Sequence, residues 1–203
     1  MTQIHRRIAA ISPSGIHDMQ KLTDSIALVK SWGHSITTGR HHDKKHLYTA
    51  GTQTERLHDL QWAIESDEVD MIWFIRGGYG TAQLLDTLQH CSKPIVGFSD
   101  ATALLAHGWN QGWKQLYHGP VLYSLASLCN PQSQQKMRHW LANDTCSSFN
   151  HRYAFGPTER VNAPLVGGNL CVLASLCGTQ AQLQADGCIL ALEDIAEPLY
   201  KID

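Results

Sequence analysis

Apolar residues along the chain fall into short unbroken runs that alternate with stretches of helical spacing. Ile8–Ile11 is such a run, and Ser12-Pro13-Ser14-Gly15 turns it into a segment with Met19, Leu22, Ile26 and Val29 at helical spacing, stopped at Gly33. Thr52-x-x-Glu55 is a capping-box signature opening a second helix, with Leu57, Leu60 and Ile64 on one face. Val69–Ile75 is continuously apolar, as expected of a strand covered on both faces of a parallel sheet. Arg76-Gly77-Gly78-Tyr79-Gly80 follows it, then a helical pattern carrying Leu84, Leu85 and Leu88. Pro94–Phe98 reads as the next strand and ends at Ser99. The alternation predicts an α/β fold, a doubly wound and mostly parallel sheet. Ligands bind such sheets at the carboxyl ends of the strands. Ser14, Gly78 and Ser99 all lie just after strand ends, where they can line one crevice.

Pro131–Asn143 reads as a further helix with Met137, Trp140 and Leu141 inward. From about Phe149 the texture turns polar and turn-rich, through Gly156-Pro157 and Asn162-Ala163-Pro164. Gly167-Gly168-Asn169-Leu170 then opens an apolar helix ending at Gly178, and Asp186-Gly187 leads into a strand over Cys188–Leu192 that meets Glu193-Asp194. The expected organisation is an α/β N-terminal domain over 1–150 and the first, incomplete part of a mixed α/β C-terminal domain over 151–203. A unit of about 50 residues is small for an independent core.

Composition narrows the possibilities. The 203 residues carry a formal net charge of −2, and 17% are charged, with no basic stripe, so nucleic acid is not an expected partner. No apolar run reaches the ~18 residues that span a bilayer, and no membrane partner is expected. The first residues lack an apolar core of signal-peptide length, which gives a cytoplasmic expectation. The six cysteines form no C-x-x-C pair and read as reduced, partly buried thiols.

The segment Pro94–Leu105 carries the sharpest chemistry. Gly97 and Ala101 flank Ser99 at two residues on each side, as a nucleophile elbow requires, because its strained turn crowds backbone and side chains together. Such a turn lifts a hydroxyl over the sheet at a helix N-terminus, where backbone N–H groups can hold an oxyanion. The same residues also fit a serine N-cap on an ordinary helix. The Arg76–Gly80 turn reads either as a flexible loop or as a cradle whose glycines let backbone N–H groups approach a ligand. It has no P-loop lysine, so nucleotide binding is not expected. His41, His42 and His46 lie beside Asp43 and two lysines without ligand spacing, and read as a solvated loop with no metal. Glu193 fits both a carboxylate that orients a base and a plain surface carboxylate beside Asp194.

Taken in order, Ile11-Ser12-Pro13-Ser14-Gly15, Gly51-Thr52-Gln53-Thr54-Glu55-Arg56-Leu57, Arg76–Gly80, Gly97-Phe98-Ser99-Asp100-Ala101-Thr102-Ala103-Leu104, Gly119-Pro120, Gly167-Gly168-Asn169-Leu170 with Gly178-Thr179, and Leu192-Glu193-Asp194-Ile195-Ala196-Glu197 closely resemble the LD-carboxypeptidase family of serine peptidases. That family also includes the microcin-immunity peptidases. The resemblance implies that Ser99 is the nucleophile, that Glu193 belongs to a Ser–Glu–His triad, and that the amides of Asp100 and Gly78 form the oxyanion hole. Ser14, Arg76, Gly77 and Tyr79 are the candidate substrate-binding positions. The resemblance implies no cofactor, a homodimer, and a murein tetrapeptide substrate that loses its terminal D-alanine in peptidoglycan recycling. The family's histidine lies well downstream of L-E-D-x-x-E, and none of the twelve histidines here matches it. This chain is therefore expected to be nearly inactive by itself, because a serine hydroxyl without its base stays protonated. The alternatives are a microcin-type immunity peptidase and an inactive peptide-binding fragment. A glutamine-amidotransferase-like domain fits the topology but uses cysteine at the elbow, where this chain has Ser99.

Overall fold

The computed structural model describes residues 4–145 and 160–202. The expected domain boundary near residue 150, together with Cys146, Phe149 and Gly156-Pro157, lies outside the described residues.

Five parallel strands form the main sheet: β1 (Arg7–Ile11), β2 (Ser35–Thr38), β3 (Met71–Phe74), β4 (Ile95–Gly97) and β5 (Leu116–His118), in the order β2-β1-β3-β4-β5. Strand alternation divides the apolar residues between two layers. Ile8 and Ala10 of β1, with Met71, Trp73 and Val96, pack under α1 (Met19–Ser31) and α4 (Pro131–Asn143) through Leu22, Val29, Met137, Trp140 and Leu141. Ala9 and Ile11, with Ile72, Phe74 and Ile95, pack under α2 (Gln53–Glu65) and α3 (Thr102–Asn110) through Leu60, Ile64 and Leu104. The sheet is thus doubly wound. Its strand order reverses between β1 and β3, which opens a crevice at the carboxyl ends of those strands.

The capping box forms as the sequence implies. Thr52 Oγ1 accepts from the Glu55 backbone N–H, and Glu55 accepts from the Thr52 N–H at 2.8 Å. Three local readings change. Met19 opens α1 but is exposed, and the inward face is Leu22, Ser25 and Val29. The Leu84–Leu88 segment winds as a 3-10 helix over Thr81–Thr87. There the Gly80 carbonyl accepts from the Gln83 N–H and from Arg56 Nη1, which replaces the i+4 bond of an α-helix. Gly167-Gly168 is strand rather than helix entry. It belongs to β6 (Leu165–Asn169), which pairs in parallel with β7 (Ile189–Glu193), and α5 (Leu170–Leu176) follows. Gly167 has φ +141°, and a Cβ there would lie 1.8 Å from the Ala191 carbonyl oxygen.

This second sheet docks on α3. The Asn169 N–H donates to Thr102 Oγ1 at 3.0 Å, Trp109 Nε1 donates to the Gln184 carbonyl at 2.7 Å, and Leu173 and Leu176 enter the α2/α3 core layer. A short α6 (Leu199–Ile202) ends the described residues. Among them, no helix is long and apolar enough to cross a membrane.

Candidate active site

Ser99 stands at the junction of β4 and α3 with φ +61°, in the left-handed region that a non-glycine residue enters only under constraint. The constraint is visible around it. A Cβ on Gly97 would lie 2.7 Å from Ala101 Cβ and 3.1 Å from Phe74, so the turn tolerates nothing larger on its inner side. Ser99 does not cap α3. The N-cap position is Ala101, with no side-chain cap.

The Arg76–Gly80 turn abuts this serine. A Cβ on Gly77 would fall 2.9 Å from Ser99 Oγ, so only glycine leaves that hydroxyl room. Gly78, at φ +128°, packs on Gly15 of the first strand-end turn, and the Gly15 N–H donates to the Gly77 carbonyl at 3.1 Å. Strand ends β1, β3 and β4 thus meet around one hydroxyl.

Asp100 ties these turns together from below. Its Oδ2 accepts from Ser14 Oγ at 2.6 Å and from the Thr81 N–H at 2.9 Å, while Ser14 Oγ lies 2.9 Å from Thr81 Oγ1. All three residues are buried. Ser14, placed by the sequence on the crevice wall, is fully buried and occupied with Asp100, so it supports the wall without facing the crevice. Buried Arg56 completes the support, donating to the Pro13 and Gly80 carbonyls and to Gln83 Oε1. Arg76 and Tyr79 stand on the open side. Arg76 donates to the Ile16 carbonyl and lies 5.6 Å over the Tyr123 ring, and exposed Tyr79 meets Tyr48 edge-on.

Glu193 lies on the second sheet. It ends β7 in register with Asn169, whose N–H is fixed on Thr102 three residues after Ser99. Its carboxylate lies 3.7 Å from His118 Nε2, at the end of β5. Burial pushes the His118 imidazole below its ordinary value, and Glu193 opposes that shift. The next residue, Gly119, donates to the Gly97 carbonyl at 3.1 Å and so holds β5 to the elbow strand. Arg56 and Thr102 stand in the sequence motifs without an assigned role, and His118 and Thr81 stand outside them. Of these, His118 gave a usable signal, as a histidine at a strand end directly before Gly119-Pro120.

A serine at positive φ between a strand and a helix, pressed against a glycine turn, has the geometry of a nucleophile elbow. Residues 8–119 match the LD-carboxypeptidase N-terminal domain and residues 162–203 the LD-carboxypeptidase C-terminal domain, and the chain belongs to that family of peptidases. The murein tetrapeptide carboxypeptidase of Pseudomonas aeruginosa is 34% identical over 215 residues, covering 98% of this chain and 70% of the relative. The crystal structure of muramoyltetrapeptide carboxypeptidase from Oxalobacter formigenes superposes with a TM-score of 0.81 at 27% identity, over 97% of this chain and 68% of that one. The microcin C7 self-immunity protein MccF, solved with glutamyl sulfamoyl guanosine, superposes with a TM-score of 0.79 at 19% identity, over 97% of this chain and 70% of that one. At that identity the likeness is one of fold.

Proposed function

We propose that this chain carries the nucleophile and the orienting carboxylate of a serine L,D-carboxypeptidase acting on cytoplasmic murein tetrapeptides. The observation that carries the reading is Ser99, held at positive φ with Gly77 against its hydroxyl. In this reading Ser99 Oγ attacks the carbonyl before the terminal D-alanine, and its proton passes to a histidine base. The amides of Asp100 and Gly78 hold the oxyanion. The intermediate collapses to an acyl-enzyme as D-alanine leaves with a proton from that histidine, and water then releases the tripeptide. Glu193 orients the base and stabilises its cationic form. The resemblance puts the base downstream of Glu197. Arg76 and Tyr79, on the open side of the crevice, are the side chains suited to receive the peptide and its carboxylate. The family resemblance supports a homodimer as the working assembly.

The test compares this chain with a version extended past Asp203 by the corresponding segment of a relative, measuring D-alanine release from an L,D-tetrapeptide. We expect turnover in the extended protein, loss of at least ~1000-fold on Ser99→Ala, and a strong reduction on Glu193→Gln. Tetrapeptide binding without D-alanine release in the extended protein would replace this reading with a peptide-binding one. Undiminished turnover in Ser99→Ala would end the serine mechanism.

A further inference from the structure

The turn after β2 brings His41 against two consecutive residues of α2, exposed His58 and buried Asp59. His41 Nδ1 stands 2.8 Å from Asp59 Oδ1, and His58 Nδ1 stands 3.6 Å from the same oxygen. The three atoms lie within 4.8 Å of one another. We infer that His41, His58 and Asp59 form a binding site for a late first-row divalent cation, zinc in the first place.

Three features argue for this. The first is spacing. An ion held at ~2.0–2.2 Å by imidazole nitrogen and carboxylate oxygen sets its ligands ~3–3.5 Å apart, and the observed 2.8 and 3.6 Å bracket that range. The second is charge. The Asp59 side chain is 4% exposed, and both of its ion-pair partners are imidazoles. A buried carboxylate is costly without a cation beside it. The third is preorganisation. Asp59 Oδ2 accepts from the His41 backbone N–H at 2.8 Å, and Gly39 packs so close that a Cβ there would lie 2.4 Å from Oδ2. This fixes Oδ1 toward the two rings, the outer-shell support that oriented metal ligands usually have.

Two imidazoles and one carboxylate form a borderline donor set that favours zinc and its neighbours over calcium or magnesium. Binding replaces the hydrogen bond between His41 Nδ1 and Asp59: the ring holds the ion through unprotonated Nδ1, in the tautomer whose single proton sits on Nε2. His58 is 60% exposed, so the remaining coordination positions face water. The bound ion would clip the turn around His41 to α2. None of these three residues belongs to the Ser99 constellation. The linear sequence reads His41 as part of a solvated loop because two ligands come from a helix seventeen and eighteen residues further on.

Equilibrium dialysis and calorimetry with Zn²⁺ on the whole 203-residue chain, and visible absorption with Co²⁺, test the assignment. One saturable zinc equivalent and cobalt d–d bands are expected. His58→Ala alters an exposed side chain, so the fold tolerates it, and it should weaken zinc by at least ~10–100-fold and remove the cobalt bands. Asp59→Asn should do the same, whereas His90→Ala should change neither. Unchanged stoichiometry and affinity in His58→Ala would overturn the site. So would zinc binding lost only with Cys171→Ser, which would place the ion on the Cys171, Asp194 and Glu197 group, and so would the absence of saturable binding in the parent chain.

Discussion

Asp100 lends its amide to the proposed oxyanion hole, but its carboxylate is spent inside the fold. It accepts from the Ser14 hydroxyl and from the Thr81 backbone, and so connects residues 86 and 19 positions away in sequence. Replacing it with alanine would leave the buried Thr81 N–H unpaired and the Ser14 hydroxyl with Thr81 Oγ1 alone, and an unpaired buried group costs ~1–3 kcal/mol. Asp100→Ala should therefore destabilise the chain by ~1–3 kcal/mol in urea unfolding, and Asp100→Asn, which keeps one acceptor oxygen, by clearly less. Equal midpoints for Asp100→Ala and the parent would show that the bridge carries no stability. The residue scale also shows where a linear reading stops. Ser99 is legible because its constraint is local: Gly97 and Ala101 lie two positions away, and the crowding between them is what demands small residues. The Ser14–Thr81–Asp100 bridge is not legible, because each member alone is an ordinary polar residue in a turn.

At the scale of elements, legibility follows burial. β1, β3 and β4 sit mid-sheet with both faces covered, so they appear in the sequence as unbroken apolar runs. The helices α2 and α4 announce themselves through Thr52 with Glu55 and through Pro131 with Met137, Trp140 and Leu141 at helical spacing. The edge strands β2 and β5 are only four and three residues long and partly exposed, so neither periodicity nor a continuous run marks them. β6 hides behind its glycines, which serve close approach to Ala191 and Thr102 rather than a turn. β7 presents a different problem. Ile189, Leu190 and Leu192 are exposed along it, with Leu165 on the neighbouring strand and Ile195, Leu199 and Tyr200 beyond it. Covering side chains of this size is worth ~1.5–3 kcal/mol each. The purified 203-residue chain should therefore self-associate with concentration in sedimentation runs, or else exchange its β6–β7 amides much faster than those of β1 and β3. A monomer whose β7 amides are as protected as those of β3 would contradict this.

Across the whole molecule, acid should act through histidines buried in the neutral form. His17 in the strand-end turn is pushed down to about 4, chiefly by burial and then by its neighbours His42 and Arg76. Its Nε2 is buried without a partner, while Nδ1 lies 3.2 Å from Ser12 Oγ. His34 after α1, His107 within α3 and His118 at the end of β5 are lowered in the same direction, each first by burial. Because these values fall below the ordinary 6.5, the unfolded chain takes up protons first on acidification. The stabilisation is thus complete above about pH 6.5 and is lost as pH falls, for His17 down through about 4. A shift of that size corresponds to ~3 kcal/mol at most from His17 alone. Carboxylates held below their ordinary range, Asp70 by Arg7 and Glu55 by the Thr52 cap, withdraw their contribution only in more acidic solution. The melting temperature should accordingly be flat from about pH 8 to 7 and fall steadily from about 6.5 toward 4, before the carboxylates titrate. His17→Gln should make that fall shallower even if it lowers stability near neutrality, since glutamine has no proton to gain. A melting temperature unchanged between about pH 7 and 5, or a slope identical in His17→Gln, would mean that these imidazoles are already charged or already hydrated in the folded chain.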